Sequence, residues 1–120
     1  MEDPLYREII LEHWENPQNY GEIKNPDVDA TQSNTTCGDQ MRIMGKIKNG
    51  KLVEISFISE GCAVSKASAS MLTEKIKNME REKILKLKSK TVLSEFPSDL
   101  TPARFNCVLL CLKTIQKALV

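Results

Sequence analysis

The sequence predicts an α+β fold, a small antiparallel three-stranded sheet with helices packed on one side. Three observations lead there. Two alternating runs, MRIMGKIK and KLVEISFIS, flank Asn49-Gly50, the dipeptide that supplies the positive φ angles of a type I′ hairpin turn. Helical spacing of apolar residues stands before and after this hairpin, not between its strands. The pattern is helix, antiparallel strands, then helices, an α+β layout.

Taken in order, Asp3-Pro4 is a helix start, with Asp as N-cap and Pro at the first helical position. Leu5, Ile9 and His13 or Trp14 recur at helical spacing until Asn16-Pro17 stops the helix. NPQNYGEIKNP is turn chemistry, and residues 28 to 35 read as a polar edge strand. In the hairpin, Met41, Ile43 and Ile47 point to one face, as do Val53, Ile55 and Phe57 on the partner strand. EGCAVSKASASMLTEKIKNM reads as a helix beginning near Cys62. Its Ala/Ser half permits close approach of another backbone or a site, and Leu72, Ile76 and Met79 form a stripe further on. REKILKLKSKTVLSEF predicts a short helix and a connector, broken by Pro97, Ser98 and Asp99. From Thr101-Pro102 a last helix runs to the end with Val108, Leu112, Ile115 and Leu119 as its buried stripe.

At 120 residues the chain is expected to form one domain, 1–120, around a single core. A net charge of +1 with 28% charged residues gives no bulk electrostatic sign of a nucleic-acid partner. No apolar run approaches the roughly 18 residues of a membrane span, so no membrane role is expected. MEDPLYREII has an acidic start and no signal pattern, which predicts a cytoplasmic protein with reduced cysteines. The four cysteines, at 37, 62, 107 and 111, lack the dense spacing of a disulfide framework, so metal binding or thiol reactivity leads.

Cys37 enters the hairpin, Cys62 leaves it at a helix start, and Cys107 sits early in the last helix. A hairpin returns on itself, so Cys37 and Cys62 can lie at one end of the sheet. The helix N-terminus favours the thiolate at Cys62, and Lys66 and Arg104 are candidates for further positive charge. For any single cysteine a small buried hydrophobe is the commoner role. Three at element ends, one beside Gly38-Asp39, tip the balance towards a site. His13, the single histidine, reads as a cap or packing residue rather than a ligand.

Four stretches in order resemble the U-type iron–sulfur cluster assembly scaffolds, the family of IscU, SufU and the N-terminal domain of NifU. YREIILEHWENPQNYG is similar to the family's opening helix and turn, and CGDQMRI to its C-G-D strand entry. SEGCAVSKASASML resembles its G-C-x-x-S-x-A-S-x-S helix, and LTPARFNCVLL its third-cysteine segment. The resemblance implies a SufE/NifU-like fold and a ligand set of Cys37, Asp39, Cys62 and Cys107. It implies a scaffold rather than an enzyme, one that takes sulfur from a cysteine desulfurase and iron from an iron donor. A transient [2Fe-2S] cluster is built and passed to apo iron–sulfur acceptor proteins, with Cys107 as candidate persulfide acceptor. Three thiolates and one hard oxygen hold a cluster less firmly than four thiolates, which suits a protein that gives its cluster away. The same donors suit tetrahedral Zn²⁺, expected in the isolated protein.

Some residues depart from the family pattern. Asn106 stands where IscU proteins have a His before the third cysteine. Leu100, Thr101, Pro102, Ala103 and Arg104 replace the L-P-P-V-K read by a dedicated Hsp70-type chaperone, which speaks against that partner. Arg104 and CAVSKASASML look more like SufU, yet the segment SufU proteins insert before the third cysteine is missing. Cys111 matches no family cysteine. The alternative function is thus a zinc-bound sulfur acceptor, a SufU-like sulfurtransferase that activates a desulfurase. A zinc deaminase would need H-x-E with C-x-x-C, and a thiol hydrolase a usable base; the sequence supplies neither.

Overall fold

The computed structural model describes residues 4–34, 38–61, 63–94 and 102–120. Strands β1 (Val28–Asn34), β2 (Asp39–Lys48) and β3 (Lys51–Glu60) form one antiparallel sheet in the order β1-β2-β3. The hairpin turns where its sequence requires, with φ of 53° at Asn49 and 77° at Gly50. Pairing sets Ile43 opposite Phe57 and Gly45 opposite Ile55, then slips between Lys46 and Ile47. Beyond this bulge Ile47 faces Leu52, so Val53 is the extra residue. The expected inward face is corrected accordingly: Leu52 is fully buried, while Val53 is only half-buried. A bulge of one residue exchanges the faces of everything beyond it.

Met41, Ile43 and Phe57 point to the helical layer. Helices α2 (Ala63–Ile76) and α5 (Pro102–Leu119) pack there, closing the core with Leu72, Ile76, Val108, Leu112, Ile115 and Leu119. α1 (Pro4–Glu15) lies against α2. Its end is tied by polar contacts, because α2 presents Ser70 and Thr73 on that side. The Gln18 backbone N–H donates to Ser70 Oγ at 2.7 Å, His13 Nδ1 stands 2.7 Å from the same oxygen, and Asn19 Nδ2 donates to Thr73 Oγ1 at 3.1 Å. The turn then runs beside β3, where Phe57 N–H donates to Asn19 O and Gly21 N–H to Phe57 O, each at 2.9 Å.

On the sheet's outer face Arg42 forks onto Asp29, Nε to Oδ1 at 3.0 Å and Nη2 to Oδ2 at 2.8 Å, joining β1 to β2. The guanidinium holds the Asp29 carboxyl below the usual carboxylate range. Both side chains remain 39% exposed, so solvent screens the pair and it adds little to stability.

The lysine-rich stretch forms two short helices, α3 (Arg81–Leu85) and α4 (Ser89–Leu93), rather than one helix and a connector. Five-residue helices leave most of their end carbonyls without internal partners. Gln116 of α5 caps the exit of α3: its Nε2 donates to Leu87 O at 2.9 Å and Ile84 O at 3.1 Å. Ile84 and Val92 anchor the pair in the core. Gln116→Ala should therefore cost about 1–2 kcal/mol, read as a lower denaturant midpoint with unchanged slope. No helix among the described residues is long and apolar enough to cross a membrane.

Candidate metal centre

Asp39 opens β2 directly after Gly38, whose φ is 70°. Along the strand it alternates with exposed Gln40 and shares the inner face with Met41 and Ile43. Its carboxylate is consequently carried under the helices and is 1% exposed. A buried carboxylate needs hydrogen-bond donors to offset lost hydration. Ser65, in the first turn of α2, supplies one, Oγ–H to Asp39 Oδ2 at 2.6 Å. The same hydroxyl stands 3.2 Å from the carbonyl oxygen of Cys107. It has one hydrogen, and the shorter bond, to Oδ2, holds the larger part of it. The positive end of the α2 dipole lies in this first turn, which also favours an anionic group.

Gly61 forms the other wall. Its φ of 137° lies where L side chains are rarely found. A Cβ there would overlap Asp39 Oδ1 and stand 2.7 Å from Cγ and 2.8 Å from Cα. The missing side chain is thus the cradle in which the carboxylate sits.

Cys107 lies in the second turn of α5 at 1% exposure. The helix dipole adds little there, since its effect fades within the first turn. Position is the stronger argument: Ser65 joins its backbone to the Asp39 carboxylate, at the junction of β2, α2 and α5. Cys111 is one turn further on and fully buried, and burial pushes its thiol far above the ordinary range.

Of the four residues expected to bind metal, Asp39 and Cys107 are thus brought together through Ser65. Cys37 and Cys62 lie outside the described residues, as does the side chain of Arg104. Among the described residues no three of His, Cys, Asp and Glu gather around a common point. Lys66 is engaged elsewhere, its Nζ 4.7 Å from the centre of the Tyr20 ring, whose edge-to-face contact with Phe57 spans 5.2 Å. His13 stays at the α1–α2 seam. Sequence reasoning missed Ser65 and the packing role of Gly61. The Ala/Ser-rich start of α2 signalled close approach, but not which serine would meet which carboxylate. The described part of the site is a carboxylate in a cradle that any Cβ would fill, linked by the Ser65 hydroxyl to the backbone carbonyl of Cys107.

Comparison with known proteins shows the family and the fold. The NifU-like N terminal domain model matches residues 5–120. The chain is 39% identical over 85 residues to the zinc-dependent sulfurtransferase SufU of Bacillus subtilis, covering 71% of this chain and 57% of that protein. It therefore spans little more than half the length of that relative. It is 32% identical over 116 residues to the iron-sulfur cluster assembly scaffold protein IscU 1 of Archaeoglobus fulgidus, covering 97% and 75% of the two chains. In fold it resembles a NifU-like protein (N-terminal) from Brucella abortus, with a TM-score of 0.77 at 19% identity over 94% of this chain and 90% of that one. With the family model spanning nearly the whole sequence and the three-stranded sheet and its helices in the same arrangement, the chain belongs to the NifU-like N-terminal domain family of U-type scaffold proteins.

Proposed function

We propose that this protein is a cytoplasmic scaffold for iron–sulfur cluster assembly, receiving sulfur from a cysteine desulfurase and iron from a donor. It builds a [2Fe-2S] cluster as cargo on Cys37, Asp39, Cys62 and Cys107 and hands it to apo-proteins. The observation that carries the reading is the buried Asp39 carboxylate, joined through Ser65 to Cys107 at the meeting point of sheet and helices. A carboxylate buried beside a cysteine adds little to a core, but completes a thiolate set with one weaker donor. The named functions of the Bacillus and Archaeoglobus relatives support it.

In this reading Cys107 accepts the sulfur. Its thiolate attacks the outer sulfur of the desulfurase's cysteine persulfide; the donor's S–S bond breaks and its electron pair leaves with the desulfurase cysteine as a thiolate. Two electrons from a redox partner later release that sulfur as sulfide. With Cys107 1% exposed, transfer requires the turns of α5 around it to move aside. Asp39 contributes the hard oxygen, the donor a receiving protein displaces most easily.

Anaerobic reconstitution with iron and sulfide, followed by transfer to an apo-ferredoxin, tests the proposal. The expected result is a [2Fe-2S] absorption spectrum and formation of holo-ferredoxin; a chain that takes up no cluster would refute it. Asp39→Ala should still assemble a cluster, because three thiolates remain, but release it several-fold more slowly. Unchanged transfer kinetics would reduce Asp39 to a structural role at the strand entry.

The second reading, a zinc-bound sulfur acceptor that activates the desulfurase, is favoured by the 39% identity to a zinc-dependent sulfurtransferase. Zinc-loaded protein that accelerates the desulfurase while failing to hold a cluster would select it.

A further inference from the structure

The chain carries 16 aspartates and glutamates, yet none stands in 83–94 or in 102–120. The fold gathers the lysines of both segments in one place. Gln116 Nε2 donates to Ile84 O and Leu87 O, which seats the link between α3 and α4 on α5. Lys86 and Lys88 flank Leu87, Lys83 precedes Ile84, and Lys90 lies in the first turn of α4. Lys113 and Lys117 stand on either side of Gln116 along α5. All six are exposed, and among the described residues none has a carboxylate within ion-pair distance. Like charges held together repel one another, and salt screens this only in part.

The chemistry of this face selects among anions. Phosphate groups of nucleic acids and lipids are best held by the arginine fork. The one arginine of 81–94, Arg81, already engages its Nη2 with Leu119 O. Neither 81–94 nor 109–120 carries an aromatic ring to stack on bases or enter a lipid surface. Exposed ammonium groups without an apolar anchor suit a carboxylate-rich protein, speeding encounter while leaving the complex weak. Along α5, Lys113 lies six residues beyond Cys107, a rise of about 9 Å. Resting on the scaffold reading above, we propose that the lysine face docks the acceptor protein through a carboxylate-rich surface of that acceptor. A partner seated there is beside the site and leaves readily once loaded.

Cluster transfer to an apo-ferredoxin of strongly negative net charge, followed between about 0.05 and 0.5 M NaCl, tests this. The wild-type second-order rate should fall about tenfold across that range. Lys86→Glu/Lys88→Glu/Lys113→Glu should lower the low-salt rate about tenfold and flatten the salt dependence, with cluster assembly unchanged. An unchanged transfer rate in that variant overturns the proposal. Lys24→Glu/Lys46→Glu/Lys77→Glu makes the same change of net charge in a cleft where Glu22 and Glu54 stand among the lysines. An equal loss there would show that net charge acts rather than the face, and would overturn it too. So would phosphatidylglycerol vesicles that bind the wild type but not the first variant while transfer is unchanged, since the face would then belong to a membrane. A wild-type chain that assembles no cluster defeats the scaffold reading instead. Docking is then still decided by titrating the apo chain with the apo-ferredoxin: amide shifts are expected at 83–90 and 113–117, and none there would overturn the proposal.

Discussion

Gly61→Ala is expected to weaken metal binding about tenfold and to lower stability by about 3 kcal/mol, from a strained backbone and an overpacked wall acting together. The new methyl meets two obstacles. At φ 137° the backbone is in a region that only glycine occupies comfortably. The Cβ would also fall on the Asp39 carboxylate and stand 2.8 Å from the Asp39 Cα, and backbone yields less readily than a flexible side chain. Relief requires the loop before α2 to withdraw from the head of β2, which would carry Asp39 and Ser65 apart. Urea unfolding of the apo-protein and zinc content after purification read the two effects separately. Wild-type values for both would mean that the loop adapts freely, and that the close approach of Gly61 to Asp39 is not part of the site.

Cys107→Ser is expected to lose metal and the ability to accept persulfide sulfur, whereas Cys111→Ala keeps both. The two cysteines share a helix face one turn apart, so spacing does not separate them. Their surroundings do. The Cys107 backbone is linked through Ser65 to Asp39, at the end of the core where the sheet's first inward carboxylate lies. Cys111 is fully enclosed one turn deeper in the core, and desolvation raises its thiol. Cys111→Ala should therefore show only the packing loss of a small buried hydrophobe, about 1 kcal/mol. Mass spectrometry after incubation with a desulfurase and cysteine locates the sulfur. Persulfide found chiefly on Cys111, or surviving in Cys107→Ser, would reverse the assignment and make the second cysteine the acceptor.

The hairpin, the edge strand at 28–34 and the last helix were all legible because each rests on a local rule. Asn49-Gly50 accepts a backbone few other pairs tolerate, polar alternation marks a strand with one face uncovered, and a Pro-initiated apolar stripe marks a buried helix. The slip at Val53 was not legible. Alternation predicts one register, and only packing against α2 and the turn at Asn78-Met79 favours Leu52 inward; the Leu52 N–H donates to Met79 O at 3.0 Å, and the Asn78 N–H to Leu52 O at 2.7 Å. Likewise the link between the two helices of 81–93 is held by Gln116, a residue of another element some thirty positions away.

For the candidate site the division is similar. By itself the sequence determined which residues have the chemistry: thiols and a carboxylate, with a hinge glycine between Cys37 and Asp39, in the order that marks the family. Only the tertiary structure decided how the described part is assembled. Strand alternation carries the Asp39 side chain inward, a missing Cβ at Gly61 makes room for it, and a serine from α2 bonds it while touching the backbone of α5. Ligand chemistry belongs to single side chains and can be read one position at a time. The direction of a carboxylate is set by neighbours 22 and 26 residues away in the chain, and that information exists only once the chain has folded.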